Sequence, residues 1–207
     1  MAVKQFEILD CTLRDGGYYT DWDFKSELLD KYFAEINHLP VDIIEIGYRS
    51  TPQQKYFGKY FYLPDFILRE LEKKKISKEV AIMFNEKNTR PEHLDKLLYG
   101  LKPVVSIIRL AVDPKNFERA IILAHEIKNR GFDVTFNLMY MSKYSKDTAF
   151  ISKLSAVDEL VRYLNLVDSY GGMLPNEVTE MVVRVQNETK ALLGFHGHNN
   201  MELAFAN

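Results

Sequence analysis

The chain alternates short apolar runs with longer stretches whose apolar residues recur at helical spacing. Several of the short runs are almost continuously apolar, which is typical of strands buried on both faces of a parallel sheet. The predicted strands are residues 6–13, 42–47, 80–84, 104–111, 133–139, 164–168 and 191–198. The pattern therefore predicts a repeated β-α order with seven strands.

The amphipathic stretches carry start and stop signals for helices. A side-chain oxygen is favoured at the N-cap, proline in the first turn, and glycine just past the end. The predicted helix starts are Asp23, Pro91, Asp113-Pro114 and Pro175, and the predicted ends are Gly100 and Gly131.

Two α/β architectures fit this order, an open doubly wound sheet and a TIM (β/α)₈ barrel. An open dinucleotide-binding sheet needs a glycine-rich phosphate turn, and Gly16-Gly17 is not such a turn. A barrel instead places functional residues at the C-terminal ends of several strands. Polar residues do fall at or near these ends, which favours the barrel: Arg14, Asp15, Glu45, Arg49, Arg109, Asn137, Asp168, His196 and His198.

A barrel needs eight strands and typically about 250 residues, whereas this chain has 207 residues and seven predicted strands. No low-complexity segment or linker divides it. We therefore expect a single domain over residues 1–207 that is truncated at its C-terminus, with its last helix cut at Asn207.

Composition narrows the class of partner. The formal net charge is −2 and the isoelectric point about 6.2, so the composition gives no sign of the basic surface that nucleic-acid-binding proteins carry. No apolar run approaches the ~20 residues that a membrane helix needs, and the N-terminus lacks the apolar core of a signal peptide. The single cysteine, Cys11, fits a reducing compartment. A cytoplasmic enzyme with a small-molecule substrate is expected, and a homo-oligomer or an additional C-terminal region is compatible with it.

His196 and His198 are spaced i, i+2 at the end of an apolar strand, so both imidazoles can face one metal ion. Asp15 can add a hard oxygen ligand, and such a set leaves positions open for substrate. The alternatives are ordinary buried or surface histidines and a turn aspartate. His38, His93 and His125 lie in helical stretches and are expected at the surface.

Charged residues in or after apolar strands must be paired or functional. Arg14 can stabilise an oxyanion beside Asp15. Arg49 and Arg109 can bind a substrate carboxylate, or they can form structural ion pairs with acids such as Glu45 or Asp168. The aromatic segment 56–62 is expected to pack beneath a loop or at an oligomer interface rather than to line the substrate pocket.

The paired motifs resemble a known superfamily. Asp-x-Thr-Leu-Arg-Asp-Gly at the first strand, with Gly-x-His-x-His-Asn-Asn-x-x-x-Leu-Ala-x-Ala-Asn at the seventh, is similar to the DRE-TIM metallolyases. That superfamily includes 3-hydroxy-3-methylglutaryl-CoA lyase, the isopropylmalate and homocitrate synthases, and 4-hydroxy-2-oxovalerate aldolase. The resemblance spans essentially the whole chain.

The resemblance implies a role for each matching residue. Asp15, His196 and His198 correspond to ligands of a divalent cation, with Mn²⁺ or Mg²⁺ expected and Zn²⁺ or Co²⁺ open. Arg14 corresponds to the arginine that steadies an enolate oxygen. Residues 167–172 resemble the sixth-strand segment near the site. Apart from the resemblance, the polar residues at or near the other strand ends are expected to bind substrate: Glu45, Arg49, Arg109, Asn137 and Asp168.

Two positions bear on the branch of the superfamily that the chain resembles. The second histidine is followed by Asn199-Asn200, which looks more like the hydroxy-oxo-acid aldolases than the synthases. Those aldolases carry a catalytic histidine three residues after the metal aspartate, and here that position is Tyr18. A phenol is a weak base at neutral pH because its reference pKa is about 10.

The resemblance thus implies a metal-dependent aldolase that cleaves or forms a C–C bond of a 2-oxo acid through an enolate that the metal stabilises. Tyr18, or a water ordered by the metal, is expected to take the proton from the 4-hydroxyl. Two alternatives stay open. One is a Claisen-type synthase that uses an acyl-CoA, and the other is a catalytically silent barrel in which Tyr18 has removed the base.

Overall fold

The structure is a computed structural model that describes residues 6–207. Its strands form one seven-stranded sheet in chain order, β1 (Leu9–Asp10), β2 (Ile43–Tyr48), β3 (Glu79–Asn85), β4 (Ile107–Val112), β5 (Asp133–Leu138), β6 (Tyr163–Asp168) and β7 (Leu193–Gly197). The pairs β1–β2, β2–β3, β5–β6 and β6–β7 are parallel. This is the order of a TIM-type (β/α) barrel with seven units, which confirms the predicted fold class.

The described residues divide into two compact units. The first runs to Phe84 and resumes over Asn88–Ile108. It contains the helices α1 (Thr12–Thr20), α2 (Ser26–Glu35), α3 (Lys59–Tyr62), α4 (Asp65–Lys73) and α5 (Leu94–Leu98), with 3-10 turns at Ile36–His38 and Pro91–His93.

All six residues of β2 are buried, as expected for a strand covered on both faces. The register between β2 and β3 shifts between Glu45 and Tyr48. Gly47 lies there at φ +150°, and a Cβ on it would lie 2.0 Å from the Tyr60 carbonyl oxygen. Only glycine lets α3 approach the strand this closely.

The second unit comprises Asn85–Lys87 and Arg109–Asn207. Its helices are α6 (Phe117–Asn129), α7 (Met141–Tyr144), α8 (Thr148–Ile151) and α9 (Pro175–Gln186), with 3-10 turns at Pro114–Asn116 and Leu154–Val157. Its core is aliphatic and aromatic, with Phe136, Leu138, Leu164 and Leu166 fully buried. Within residues 6–207, no helix is both long and apolar enough to cross a membrane.

Most predicted helix boundaries are confirmed. Pro91 opens the 3-10 turn that leads into α5, and Pro175 opens α9. The Asp113 carboxylate accepts a hydrogen bond from the Lys115 backbone N–H ahead of α6. Gly100 and Gly131 follow their helices at φ +72° and +80°, in the left-handed region that favours glycine.

Two helix predictions were wrong. Asp23 does not cap α2, whose N-cap position is Lys25, because the Asp23 carboxylate accepts from the Tyr56 hydroxyl at 2.9 Å instead. The helix expected to reach Asn207 does not form, since the residues after Asn199 make turns. The aromatic segment 56–62 contributes the short helix α3.

The first strand is much shorter than predicted. It covers only Leu9–Asp10, and residues 12–20 are helical, so the Arg14-Asp15 pair lies in α1 rather than at a strand end. The Asp10 carboxylate explains the change, because it accepts from the Thr12 backbone N–H at 3.1 Å and from the Thr12 hydroxyl at 2.9 Å. Such local bonds end a strand and start a helix.

Candidate active site

Arg14 lies at the centre of the polar groups of the first unit. Its Nε donates to Glu45 Oε2 at 2.8 Å, and its Nη1 donates to the Asp15 carboxylate. Glu45 is fully buried on β2, and Arg14 is almost fully buried. Burial by itself lowers the pKa of Arg14. The neighbouring Glu45, Tyr48 and Asp15 raise it by more than burial lowers it, so the pKa lies above its ordinary value. The guanidinium therefore stays charged.

Asp15 contacts a second group besides Arg14. The Cys11 thiol lies 3.2 Å from Asp15 Oδ2 and donates to it. Burial raises the pKa of Cys11 to about 12, although Arg14 opposes the shift. The thiol is therefore protonated near neutral pH. The Asp15 side chain remains 28% exposed.

Trp22 connects α1 with the aromatic segment. Its indole N–H donates to the Arg14 carbonyl oxygen at 2.8 Å, and a Cβ on Gly17 would lie 2.1 Å from the indole ring. The rings of Phe57 and Phe61 pack against the indole with centroids 5.5 and 5.0 Å away. Phe57 and Phe61 of the segment 56–62 therefore pack against the indole, whereas Tyr56 is exposed.

Tyr18 stands on the exposed side of this cluster. Its hydroxyl lies 3.1 Å from the Tyr48 hydroxyl, and its ring meets the edge of Trp22 with centroids 4.8 Å apart. Tyr18 is 64% exposed, whereas Tyr48 is buried. Burial raises the pKa of Tyr48 well above its ordinary value. Tyr48 thus remains a neutral phenol that can donate to the Tyr18 oxygen.

Arg49 is engaged by the first unit itself. Its Nη1 donates to the Leu63 carbonyl oxygen at 2.6 Å, and its Nη2 donates to the Tyr99 carbonyl oxygen at 3.1 Å. Asp65 lies 3.5 Å from Nη2. Burial lowers the pKa of Arg49, and Asp65 partly offsets the shift. These contacts favour a structural role over a substrate-binding one.

In the second unit, Asp168 organises the loop that follows β6. Its buried carboxylate accepts from the backbone N–H groups of Gly171 at 3.1 Å and Met173 at 2.8 Å. Its side-chain oxygens are therefore used by the loop, which again favours a structural role. Gly171 adopts φ +62°, and a Cβ on it would lie 2.5 Å from the His198 carbonyl oxygen.

His198 is oriented by the backbone at the end of β6. Its ring Nδ1 lies 3.0 Å from the Asp168 backbone carbonyl oxygen, and the backbone N–H of His198 donates to the same oxygen at 3.3 Å. A carbonyl only accepts, so the contact requires a proton on Nδ1, and the tautomer of neutral His198 that fits it has its lone pair on Nε2. The His196 ring packs edge-on against it, with centroids 4.9 Å apart. The structure therefore brings the two histidines together at the end of β7.

Polar side chains also join neighbouring strands of the second unit. Arg109 Nη2 donates to Asn137 Oδ1 at 2.9 Å, and Asn165 Nδ2 donates to the same oxygen at 3.2 Å. Arg109 and Asn137 are buried, and Asn165 is half-buried. Asn165 was missed from the sequence. The signal available was an amide between Leu164 and Leu166 of β6, in register with the predicted Asn137 of β5.

The predicted site residues thus fall into four groups. Arg14, Asp15, Glu45 and Tyr18 lie together around α1 and β2, and Arg49 is held separately. Arg109 and Asn137 form a buried pair, and Asp168 supports His198. Of the other histidines, His38 and His125 are exposed as predicted, while His93 is half-buried and accepts from the Arg90 N–H.

Comparison with known proteins gives concordant matches. The family model described as HMGL-like matches residues 108–207. A crystal structure of the N-terminal domain of a proposed aldolase from Bacteroides vulgatus is similar with a TM-score of 0.94. The two sequences are 48% identical, and the match covers 98% of this chain and 67% of that one.

Two curated relatives are more distant. An oxaloacetate decarboxylase of Mycobacterium tuberculosis is 22% identical over 208 residues, which cover 97% of this chain and 59% of the relative. A 4-hydroxy-2-oxovalerate aldolase of Thermomicrobium roseum is 27% identical over 206 residues, which cover 97% of this chain and 56% of the relative. The chain therefore spans less than two thirds of the length of either relative.

Proposed function

Because the chain belongs to the HMGL-like family of DRE-TIM metallolyases, we propose that it carries the catalytic centre of a metal-dependent carbon–carbon lyase. The substrate would be a 4-hydroxy-2-oxo acid, which the enzyme cleaves, or forms in reverse, as an aldolase. The observation that carries the proposal is the orientation of His198. Members of this family use a divalent metal ion, and His198 has the arrangement of a metal ligand.

The donor chemistry of each unit fits such an ion. A ligating histidine commonly donates its other ring N–H to a carbonyl or carboxylate, as His198 does to Asp168. Asp15 offers a part-exposed carboxylate, and His196 lies beside His198. We therefore propose Asp15, His196 and His198 as the ligands. Carboxylate and imidazole are compatible with Mn²⁺ or Mg²⁺, and also with Zn²⁺ or Co²⁺.

When bound, the ion supplies a positive charge that polarises the 2-oxo group of the substrate. Arg14 adds a permanent positive donor for the oxygen on which negative charge develops. Glu45 holds that donor in place through the buried Nε contact, so we assign Glu45 a positioning role. A preorganised donor is effective because it need not reorient during the reaction.

Proton transfer is assigned to Tyr18. Its hydroxyl is exposed and hydrogen-bonded to the neutral, buried Tyr48 phenol. Tyr18 would take the proton of the 4-hydroxyl as a phenolate, with the Tyr48 hydroxyl as a hydrogen-bond donor to its oxygen. Arg109 and Asn137 are kept as candidates for substrate binding, whereas the contacts of Arg49 and Asp168 support structural roles.

The test is a retro-aldol assay of the full-length protein with Mn²⁺ and a panel of 4-hydroxy-2-oxo acids that differ in chain length. We expect release of a 2-oxo acid and an aldehyde, with loss of turnover in Tyr18→Phe. Pyruvate aldolases are commonly followed through lactate dehydrogenase, so the readout is continuous. Absence of cleavage across the panel would contradict the aldolase assignment.

One other activity has a specific observation in its favour, the similarity to a relative named oxaloacetate decarboxylase. Decarboxylation of a 2-oxo diacid also leaves an enolate, so Arg14 would serve it in the same way. Oxaloacetate belongs in the same assay panel. Turnover of oxaloacetate that survives Tyr18→Phe would favour the decarboxylase, because loss of CO₂ needs no base at a 4-hydroxyl. Consumption of a 2-oxo acid only with an acyl-CoA would favour a Claisen-type synthase.

A further inference from the structure

Three side chains of the second unit form a group that the proposed chemistry does not use. Tyr140 and Lys143 lie on the loop and short helix that follow β5, and Tyr170 lies on the loop that follows β6. We call them the tyrosine–lysine cluster. Loops after the strands are where barrel enzymes place their substrate-binding groups.

The cluster is compact and cationic. The two tyrosine rings are tilted by 32° with centroids 5.9 Å apart. Lys143 Nζ stands 5.1 Å from the Tyr170 ring centroid and 6.0 Å from that of Tyr140. A hydrogen bond to Tyr170 raises the pKa of Lys143, so the ammonium stays charged. Tyr170 is 48% exposed, so the group faces solvent.

The backbone beneath the cluster is built for this arrangement. Tyr140 adopts φ 62° and ψ 32°, a left-handed conformation that is unfavourable for a residue with a side chain. Its N–H donates to Ser169 Oγ at 2.8 Å, which ties the β5 loop to the β6 loop. Strained backbone that is held by its surroundings is concentrated at ligand sites. A casual surface contact between lysine and tyrosine would need neither feature.

The cluster is also joined to the histidine segment within the same unit. Gly171 follows Tyr170 directly and packs so closely that a Cβ would lie 2.5 Å from the His198 carbonyl oxygen. The Asp168 backbone that orients His198 starts the same loop. The loop that carries Tyr170 therefore packs directly against the backbone of His198.

We propose that the tyrosine–lysine cluster binds an anionic group, a carboxylate or a phosphate, at the far end of the substrate. This inference rests on the proposed function and names its substrate class, a 4-hydroxy-2-oxo acid with a second anionic end. The ammonium of Lys143 supplies the charge, and the two phenol hydroxyls supply further donors.

The test compares two substrates that differ only at the far end, one with a methyl group and one with a carboxylate. Lys143→Gln should raise KM for the carboxylate substrate about tenfold, because a hydrogen bond to a charged group is lost. It should leave KM for the methyl substrate and both kcat values within about twofold. Tyr170→Phe should give a smaller shift in the same direction.

Lys146→Gln is the matched control. Lys146 is an exposed lysine of the same loop that lines a separate cavity of about 210 Å³ with Glu177 and Arg184. If Lys146→Gln shifts KM as much as Lys143→Gln does, the change in KM comes from the net charge of the protein, and the proposed anion subsite is refuted. Equal shifts for both substrates in Lys143→Gln would overturn it as well.

A binding readout separates this inference from the proposed function. Inorganic phosphate is titrated into the metal-loaded, full-length protein by calorimetry. Weaker phosphate binding in Lys143→Gln than in Lys146→Gln supports the subsite even if no retro-aldol turnover is found. Identical binding in the two variants contradicts the subsite even if the aldolase assay succeeds.

Discussion

The clearest structural prediction concerns Trp22, the single tryptophan of the chain. Its indole N–H holds the Arg14 carbonyl, and its ring fills the space above Gly17 and against Tyr18. Trp22→Phe keeps an aromatic ring but removes the donor and part of the ring. The substitution therefore tests whether the contact between the Trp22 indole and α1 is needed for Arg14 and Tyr18 to function in catalysis.

The expected loss of stability has two parts. A hydrogen bond of this kind contributes about 0.5–1.5 kcal/mol net. Truncating a buried tryptophan to alanine costs about 3–5 kcal/mol, and replacement by phenylalanine removes less than half of that ring, or about 1–2 kcal/mol. Trp22→Phe should therefore lower the free energy of unfolding by about 1.5–3.5 kcal/mol. Urea unfolding followed by far-UV circular dichroism measures it, since the fluorophore is gone.

The same variant should reduce turnover about tenfold, because misplaced catalytic groups lose rate even when the fold persists. Phe57→Leu is the control, since Phe57 packs against the indole but does not bond to α1. It should cost stability and leave kcat nearly unchanged. The reasoning is refuted if Trp22→Phe loses less than about 0.5 kcal/mol, or if both variants lose the same fraction of turnover.

Two further predictions concern the charge network and the sheet edge. Arg14→Ala should retain the metal but lower kcat about 10²–10³-fold, as expected for the loss of one oxyanion donor. Metal analysis together with steady-state kinetics checks this. A loss of kcat of only a few-fold would show that Arg14 does not act in catalysis. We also propose that a further β/α unit pairs with the outer edge of β7 in the whole protein, since the curated relatives are longer. A polypeptide extended past Asn207 should then melt at a higher temperature and associate less. Equal melting and equal solution mass for both forms would contradict that proposal.

The strand pattern was predictable from the sequence because buried parallel strands leave continuous apolar runs. The runs over β2 to β7 appear in the structure with shifts of a few residues at their ends. Local chemistry explains where the pattern failed. The first apolar run continues to Leu13, but the Asp10 carboxylate accepts hydrogen bonds from the backbone N–H and the hydroxyl of Thr12. These bonds end the strand and start a helix, which the hydrophobic pattern alone cannot indicate.

Tertiary contacts account for the remaining differences at the site. The sequence marked Glu45 and Arg49 as charges that needed partners, but it could not show that Arg14 takes Glu45. Nor could it show that Arg49 bonds to backbone carbonyls far along the chain. The role of Trp22 depends on a left-handed backbone at φ 58°, which no residue pattern predicts.

The metal centre is the central claim, and a metal titration tests it most directly. Full-length wild type and His198→Ala are stripped with a chelator and titrated with Mn²⁺, with free Mn²⁺ measured by electron paramagnetic resonance. His125→Ala, at an exposed histidine of α6, is the matched control. The account predicts one tight site in wild type and in His125→Ala, and loss of that site in His198→Ala. Unchanged Mn²⁺ affinity and stoichiometry in His198→Ala would contradict it.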